Sequence, residues 1–245
     1  MINLVIDIGN SRTKIALFNQ HDLMLNVPMD HLTVNHVQLL KNEHPQITKV
    51  ILSSVKPKDE DLVGFLAKNF DFFLELDAQT ELPIENLYET PETLGRDRLA
   101  AAVGGNELFP NRNLLIIDAG TAITYDLVSE KNQFVGGNIS PGLEMRFKAL
   151  NQFTGKLPLI NYSNDFQQIG RNTTDAIRAG VQNGILFEIA QTIDLFNRNY
   201  QNLQIIMTGG DSIFFDKKLN YSIFVHFNLT LIGLNSILEH NAKKK

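Results

Sequence analysis

The chain has 245 residues, enough for one large domain or two of about half that size, and either buries enough apolar surface to fold without covalent staples. Twenty-seven acidic against 22 basic side chains leave a net charge of −5, which offers no electrostatic footprint for nucleic acid or for an anionic membrane. The absence of cysteine excludes disulfides, thiolate nucleophiles and cysteine-bound zinc; with an opening that enters a strand pattern directly and no apolar run of bilayer-spanning length, it leads to the expectation of a cytoplasmic protein.

Three short β-type runs open the chain, at 2–8 (INLVIDI), 12–19 (RTKIALFN) and 22–27 (DLMLNV), separated by polar or glycine-containing turns, and predict a meander. A helix follows near 31–42, a strand at 48–54, a helix near 59–69, a strand at 72–77 and a helix from Thr93 through LAAAVGG. The order is βββαβαβα. From residue 113 it starts again, with strands near 113–119, 122–129 and 132–137, helices near 142–151 and 173–198, strands at 203–209 and 221–226, and a last helix at 230–241.

The two opening segments, LVIDIGNSRTK at 4–14 and LLIIDAGTAITYD at 114–126, align without a gap at an offset of 111 residues. Asp7 then falls on Asp118, Gly9 on Gly120, Asn10 on Thr121 and Thr13 on Thr124. An internal duplication predicts two similar α/β halves, 1–111 and 112–245, with a cleft between them.

A carboxylate at the end of a valine- and isoleucine-rich strand is costly unless a cation or hydrogen-bond donors satisfy it. Gly9 and Gly120 permit a tight turn whose backbone N–H groups approach an anion closely. Asn10, Ser11 and Thr13, or Thr121 and Thr124, add side-chain donors, and Lys14 adds charge. These are the parts of a hairpin that grips phosphate. Neither G-x-x-x-x-G-K-[ST] nor G-x-G-x-x-G after a strand is present, so the phosphate site is of another type. The six histidines show no metal-ligand spacing, and the 16 phenylalanines, set among leucine and isoleucine, read as core.

In these segments the chain resembles the superfamily of acetate and sugar kinases, heat-shock chaperones and actin. Asp7–Lys14 is similar to its first phosphate motif, DAGTAIT at 118–124 to its second, and TGGDS at 208–212 to the glycine pair that lies along the adenosine. The resemblance implies an α/β fold of two duplicated βββαβαβα halves, ribonuclease H-like and actin-like, with ATP in the cleft. TLGRDR at 93–98, GGNISPG at 136–142, FTGKLP at 153–158 and IGRNTTDAIRAG at 169–180 narrow the likeness to the type III pantothenate kinase family, over nearly the whole chain.

That likeness implies ATP-dependent phosphorylation of pantothenate, with Asp97 as the acid/base residue beside the substrate hydroxyl. Gly95, Arg96 and Arg98 belong to the same substrate segment, with Tyr88 and Thr173 as further substrate contacts; a slip of one residue would select Thr174 instead. Asp7, Ile8, Gly9, Asn10, Ser11, Arg12, Thr13, Lys14 and Thr121 would contact ATP. Asp118 resembles the ligand of the monovalent cation, potassium or ammonium, that the family requires, with Mg2+ accompanying ATP. The residues by themselves also allow Asp118 to bind Mg2+ or to cap its own turn. The family's active unit is a homodimer in which the neighbouring subunit completes the pantothenate pocket. An aspartate ionised at neutral pH can accept a hydroxyl proton, and Arg98 offers a planar fork to a carboxylate. On spacing alone, Asp97 and Arg98 equally fit an exposed charge pair at a helix start. A non-catalytic nucleotide-binding regulator of the same fold is the rival reading.

Overall fold

The computed structural model describes residues 2–10 and 12–244. By compactness the chain forms two units: Met1–Pro110 with Asn132–Phe134 and Asn228–Lys245, and Asn111–Lys131 with Val135–Phe227. The halves expected from the duplication concern a repeated order of elements; compactness groups the last helix with the first unit.

In the first unit β1 (Ile2–Ile8), β2 (Thr13–Asn19) and β3 (Asp22–Met29) form the antiparallel meander. β4 (Ile47–Ser54) runs parallel to β1 and β5 (Phe72–Glu75) parallel to β4, in the order β3-β2-β1-β4-β5. Helices α1 (Val34–Glu43) and α2 (Glu60–Asn69) connect the parallel strands and cover one face, where Leu4, Ile6, Ile15, Leu17 and Leu52 meet Val37, Leu62 and Leu66. The C-terminal helix α7 (Leu229–Ala242) packs on β1 and β4 and carries α3 (Arg96–Leu108) against it. Coverage by helices explains why β1 and β4 read as near-continuous apolar runs, while β3, at the edge, is mostly exposed.

A polar network fastens α7 to the sheet. The buried Asn3 amide donates to Asn235 Oδ1 (2.8 Å) and Glu239 Oε1 (2.7 Å), and Lys49 pairs with Glu239 at 2.8 Å. Burial alone would push the Glu239 carboxyl up, but its bonds from Lys49 and Asn3 outweigh this and hold it below its ordinary value.

The second unit is built on β7 (Leu114–Ala119), β8 (Ala122–Ser129), β9 (Gln133–Pro141), β10 (Gln204–Thr208) and β11 (Ile223–Val225), in the order β11-β10-β7-β8-β9. Helices α4 (Leu143–Gln152) and α5 (Thr173–Asn199) lie over it. On α5 the residues Ile177, Val181, Ile185, Ile189 and Ile193 recur every fourth position, forming one apolar stripe against Leu115, Ile117, Ile123 and Met207.

The helix expected from Thr93 begins at Arg96, because Pro91–Thr93 forms a 3-10 turn that Gly95 then separates from α3. β9 continues to Pro141, four residues past the expected end. Two short elements escaped the sequence pattern: β6 (Glu85–Asn86), which pairs with Gln133 and Phe134 within the first unit, and α6 (Ser212–Asp216). Among the described residues no helix is long and apolar enough to cross a membrane.

Candidate active site

The first hairpin sets the geometry. Asp7 pairs with Lys14 and Ile8 with Thr13, and the Gly9 N–H donates to the Arg12 carbonyl at 3.0 Å. Asn10 begins the turn; Ser11 lies outside the described residues. Because side chains alternate across a strand, Asp7 and Lys14 share one face of the sheet while Ile8 and Thr13 take the other, among Leu52 and Leu62. The segment expected to hold phosphate thus sends its acid and its lysine to one side and two of its other side chains behind.

Asp7 is perturbed. Burial raises its carboxyl pKa most, Lys14 opposes that, and the charge of Asp97 adds to it, leaving a value of about 6. The Ser53 hydroxyl, opposite Asp7 in the β1–β4 register, favours the charged form from just outside hydrogen-bond geometry. Lys14, Ser53 and Asp97 therefore all act on Asp7 within the first unit.

The start of α3 delivers the segment expected to hold substrate. Asp97 lies exposed in its first turn, and its Oδ1 accepts from the Arg98 N–H at 2.8 Å. Gly95 leaves room beside it, since a Cβ there would stand 2.6 Å from that oxygen and displace the Asp97 carboxylate. Arg98 is only 6% exposed; its guanidinium carbon is 5.6 Å from the Tyr88 ring centre and 5.9 Å from that of Phe134. Successive helical residues diverge by about 100°, and Arg96 turns away from its neighbours: its Nη1 donates to the Ser54 carbonyl at 2.9 Å. Asp97, Arg98 and Tyr88 are gathered, whereas Arg96 is directed elsewhere.

The second unit holds the second hairpin, where Asp118 pairs with Thr124 and the Gly120 N–H donates to the Ala122 carbonyl at 3.0 Å. Thr121 alone forms its tip. The ungapped alignment is therefore corrected at the turn: Lys14, opposite Asp7, corresponds to Thr124, opposite Asp118, and Thr13 corresponds to Ile123. The first loop is one residue longer, and hairpin register follows the loop.

Two motifs wedge this hairpin from either side. Gly209 has φ +92°, and a Cβ there would lie 2.3 Å from the Ala119 carbonyl and 2.5 Å from Asp118 Oδ1, so only glycine lets the turn after β10 rest on the end of β7. At the end of β9, Gly142 donates to the Thr121 carbonyl at 3.1 Å. Arg146 holds that end: its Nε donates to the Pro141 carbonyl (2.9 Å), and its Nη2 to Ser140 Oγ (2.9 Å) and Glu188 (2.5 Å), which also accepts from the Tyr125 hydroxyl (2.8 Å). Thr173 is exposed at the first position of α5, after Asn172, whose side chain caps the helix at Asp175 N; Thr174 is half-buried.

Sequence reasoning missed Ser53, Phe134 and the Arg146–Glu188–Tyr125 group. Two serines ending the apolar strand ILSS were a signal for the first; the others are joined only by tertiary packing. Among the described residues no three or more histidine, aspartate or glutamate side chains converge as a metal-binding group.

The family model described as type III pantothenate kinase matches residues 3–195. A type III pantothenate kinase of Bacteroides fragilis is 44% identical over 240 residues, covering 98% of each chain, and one of Christiangramia forsetii is 44% identical over 241 residues, covering 98% of this chain and 99% of its own. Among solved structures, a Campylobacter jejuni protein proposed as a Baf family transcriptional activator matches at a TM-score of 0.63 with 22% identity, over 98% of this chain and 99% of that one. A ROK hexokinase of Thermus thermophilus matches at 0.50 with 11% identity, over 99% and 100%. These two likenesses speak to the fold, the mixed α/β architecture of the sugar kinases. The sequence identity and the family match, spanning most of the chain, show that it belongs to the type III pantothenate kinase family.

Proposed function

We propose that the protein transfers the γ-phosphoryl group of ATP to pantothenate, giving 4'-phosphopantothenate, the entry step of coenzyme A synthesis, and that Asp97 is its catalytic acid/base residue. The observation that carries the site assignment is the gathering of Asp97, Arg98 and Tyr88 near the Asp7–Lys14 pair within one unit, close enough for the Asp97 charge to act on Asp7.

Asp97 accepts the proton of the attacking hydroxyl. In a loose transition state the bond between the γ-phosphorus and the bridging oxygen of the leaving ADP is largely broken before the new one to the hydroxyl forms, so Asp97 contributes mainly by orienting that hydroxyl. Arg98, its guanidinium held near the Tyr88 and Phe134 rings, presents a fixed fork of donors to pantothenate, with Gly95 and Thr173 as further contacts. We leave Arg96 at the edge of this set, since its guanidinium is directed to Ser54. Asp7 to Lys14 and Thr121 contact ATP, Ile8 and Thr13 through their main chain since their side chains face the other way, and Lys14 offsets phosphate charge.

The half-buried Asp7 carboxyl, raised to about 6, is a site that a cation would relieve, which suits Mg2+ carried with ATP. The Asp118 carboxylate, closed in by Gly209 and Gly120, suits the monovalent cation, potassium or ammonium. Bound there, such cations supply positive charge beside the phosphates.

We further propose a homodimer. Phe153 (81% exposed), Ile169 (80%) and Phe187 (67%) leave more apolar surface open in the second unit than scattered exposure requires, and Ile169 and Phe187 belong to the segment and helix that carry Thr173. As a biosynthetic kinase the protein would work in the cytoplasm. The reading as a non-catalytic regulator is not favoured: relatives at 44% identity are named as kinases, and the likeness to the Campylobacter jejuni protein, at 22%, concerns the fold alone.

The test is an ADP-release assay with pantothenate, in sodium alone and with added potassium, on this chain and on Asp97→Asn. Turnover should need potassium and fall about 10²–10⁴-fold in the variant. Equal rates for the two proteins would remove Asp97 from the chemistry.

A further inference from the structure

Behind the first hairpin, on the sheet face opposite Asp7, the first unit forms an open-mouthed cavity of about 310 Å³. It lies at the carboxyl ends of β1 and β4, where open α/β sheets form ligand crevices, and its volume is that of a small-molecule pocket. Ile8, Leu32, Leu52, Leu62 and Val63 make an apolar interior. Thr13, 2% exposed, joins this lining and brings a hydroxyl to it.

The mouth is charged, and its charges do not cancel. Glu75 is paired with Lys58 at 3.3 Å, and Asp59 accepts from the Leu62 N–H at 3.0 Å as the cap of α2. Arg96 spends one donor on the Ser54 carbonyl, leaving the rest of its fork at the rim. Lys56, held in place by its backbone N–H to Ser54 Oγ, has no carboxylate partner among the described residues. His31 stands at the same rim. An apolar interior with one buried hydroxyl and a surplus of positive charge at the mouth fits an aliphatic body ending in a single negative charge.

We propose that this cavity is a second ligand site, for a short-chain aliphatic monocarboxylate, separate from the site of Asp7 and Asp97. Its carboxylate meets Lys56 and Arg96, its chain lies over Leu52 and Leu62, and its filling stiffens the strands that carry Asp7 and Lys14 on the other side. Only that last effect rests on the kinase reading; binding does not.

The probe is sodium hexanoate, titrated to about 20 mM into the full chain without ATP or pantothenate and followed by methyl NMR; about eight heavy atoms of modest ligand efficiency correspond to a roughly millimolar dissociation constant. Saturable shifts are expected at Ile8, Leu32, Leu52, Leu62 and Val63. Lys56→Glu, at an exposed position, should weaken binding about tenfold, Val63→Phe should abolish it by filling the cavity, and hexan-1-ol should bind about tenfold more weakly than hexanoate. Absence of saturable shifts, unchanged affinity in either variant, or equal affinity for the alcohol would overturn the proposal. A pantothenate titration in place of hexanoate should leave these methyls unmoved; if it moved them instead, the site would be a substrate site and the proposal would fall.

Discussion

Arg146 binds Glu188 with the same guanidinium that holds Ser140 and the Pro141 carbonyl, so a bond between α4 and α5 also fixes the end of β9 beside the second hairpin. Burial alone would raise the Glu188 carboxyl, but bonds from Arg146 and Tyr125 outweigh it and hold the pKa below the ordinary carboxylate value. A depressed folded pKa stabilises the fold above the unfolded pKa and is lost as pH falls through the folded one. Arg146→Ala should therefore cost about 1–2 kcal/mol in urea unfolding at pH 7, less than a fully buried charged bond because both side chains are partly open. The deficit should shrink below about pH 4. Because Gly142 rests on Thr121, the KM for ATP should rise more than that for pantothenate. A deficit that stays constant with pH would contradict the assignment.

Asp7 titrates in the opposite sense. Its folded pKa of about 6 lies above the ordinary aspartate value of 3.8, so its contribution to stability is fully present below 3.8 and is lost as pH rises through 6. The corresponding cost at neutral pH is about 2–3 kcal/mol. Asp7→Asn removes that cost while keeping a similar shape. The variant should melt higher than the parent at pH 7.5, show no advantage near pH 3.5, and have little kinase activity. In Asp97→Asn, where one like charge is gone, carbon NMR should find the Asp7 pKa lower than in the parent; an unmoved value would mean that the two carboxylates do not interact.

The parts of this architecture that were legible in sequence are those in which local pattern and tertiary environment agree. LVIDIG announced a buried strand ending in an acid and a turn, and the four-residue recurrence of isoleucine and valine from Ile177 to Ile193 announced the buried face of α5. Loop length was not legible. The two hairpin registers differ by one residue of loop, and an alignment of polar identities across them paired Thr13 with Thr124, on opposite faces of equivalent strands. The place of α7 was hidden as well, because its apolar content reports burial but not the partner; Asn3, Asn235 and Glu239 decide that through bonds spanning more than 230 residues. The Tyr125, Glu188 and Arg146 group has no local motif, and Arg96, adjacent in sequence to Asp97, is separated from it by the turn of the helix.

A side-chain change at Arg98 tests the proposed substrate segment while keeping the main-chain bond from residue 98 to Asp97. Lysine keeps the charge but loses the planar face near Tyr88 and Phe134 and the fork of donors. Arg98→Lys should raise the KM for pantothenate about tenfold, a difference of about 1.4 kcal/mol, and leave the KM for ATP within about twofold. If the KM for ATP rose by the same factor, Arg98 would be acting on the fold or the nucleotide rather than on pantothenate.

Helices α3 and α7 meet backbone to backbone, and two glycines make that possible. A Cβ on Gly233 would fall 1.8 Å from the Ala100 carbonyl oxygen, and one on Gly104 would fall 2.2 Å from that of Leu229. No rotamer can relieve either clash, because the obstacle is main chain, so the helices must separate. On propensity alone, alanine in place of a mid-helix glycine stabilises by about 1 kcal/mol; forcing two packed helices apart costs about 1–3 kcal/mol and sometimes more. The second effect wins. Gly233→Ala should lower the melting temperature, with Gly104→Ala somewhat milder, whereas Gly64→Ala on α2, where a Cβ meets nothing within 4 Å, should raise it slightly. Since α3 carries Asp97 and Arg98 in its first turn, Gly233→Ala should also reduce kcat at temperatures where the variant remains folded. Unchanged kcat in a folded but destabilised variant would show that the first turn of α3 is held independently of α7, by Gly95 and the Arg96–Ser54 bond.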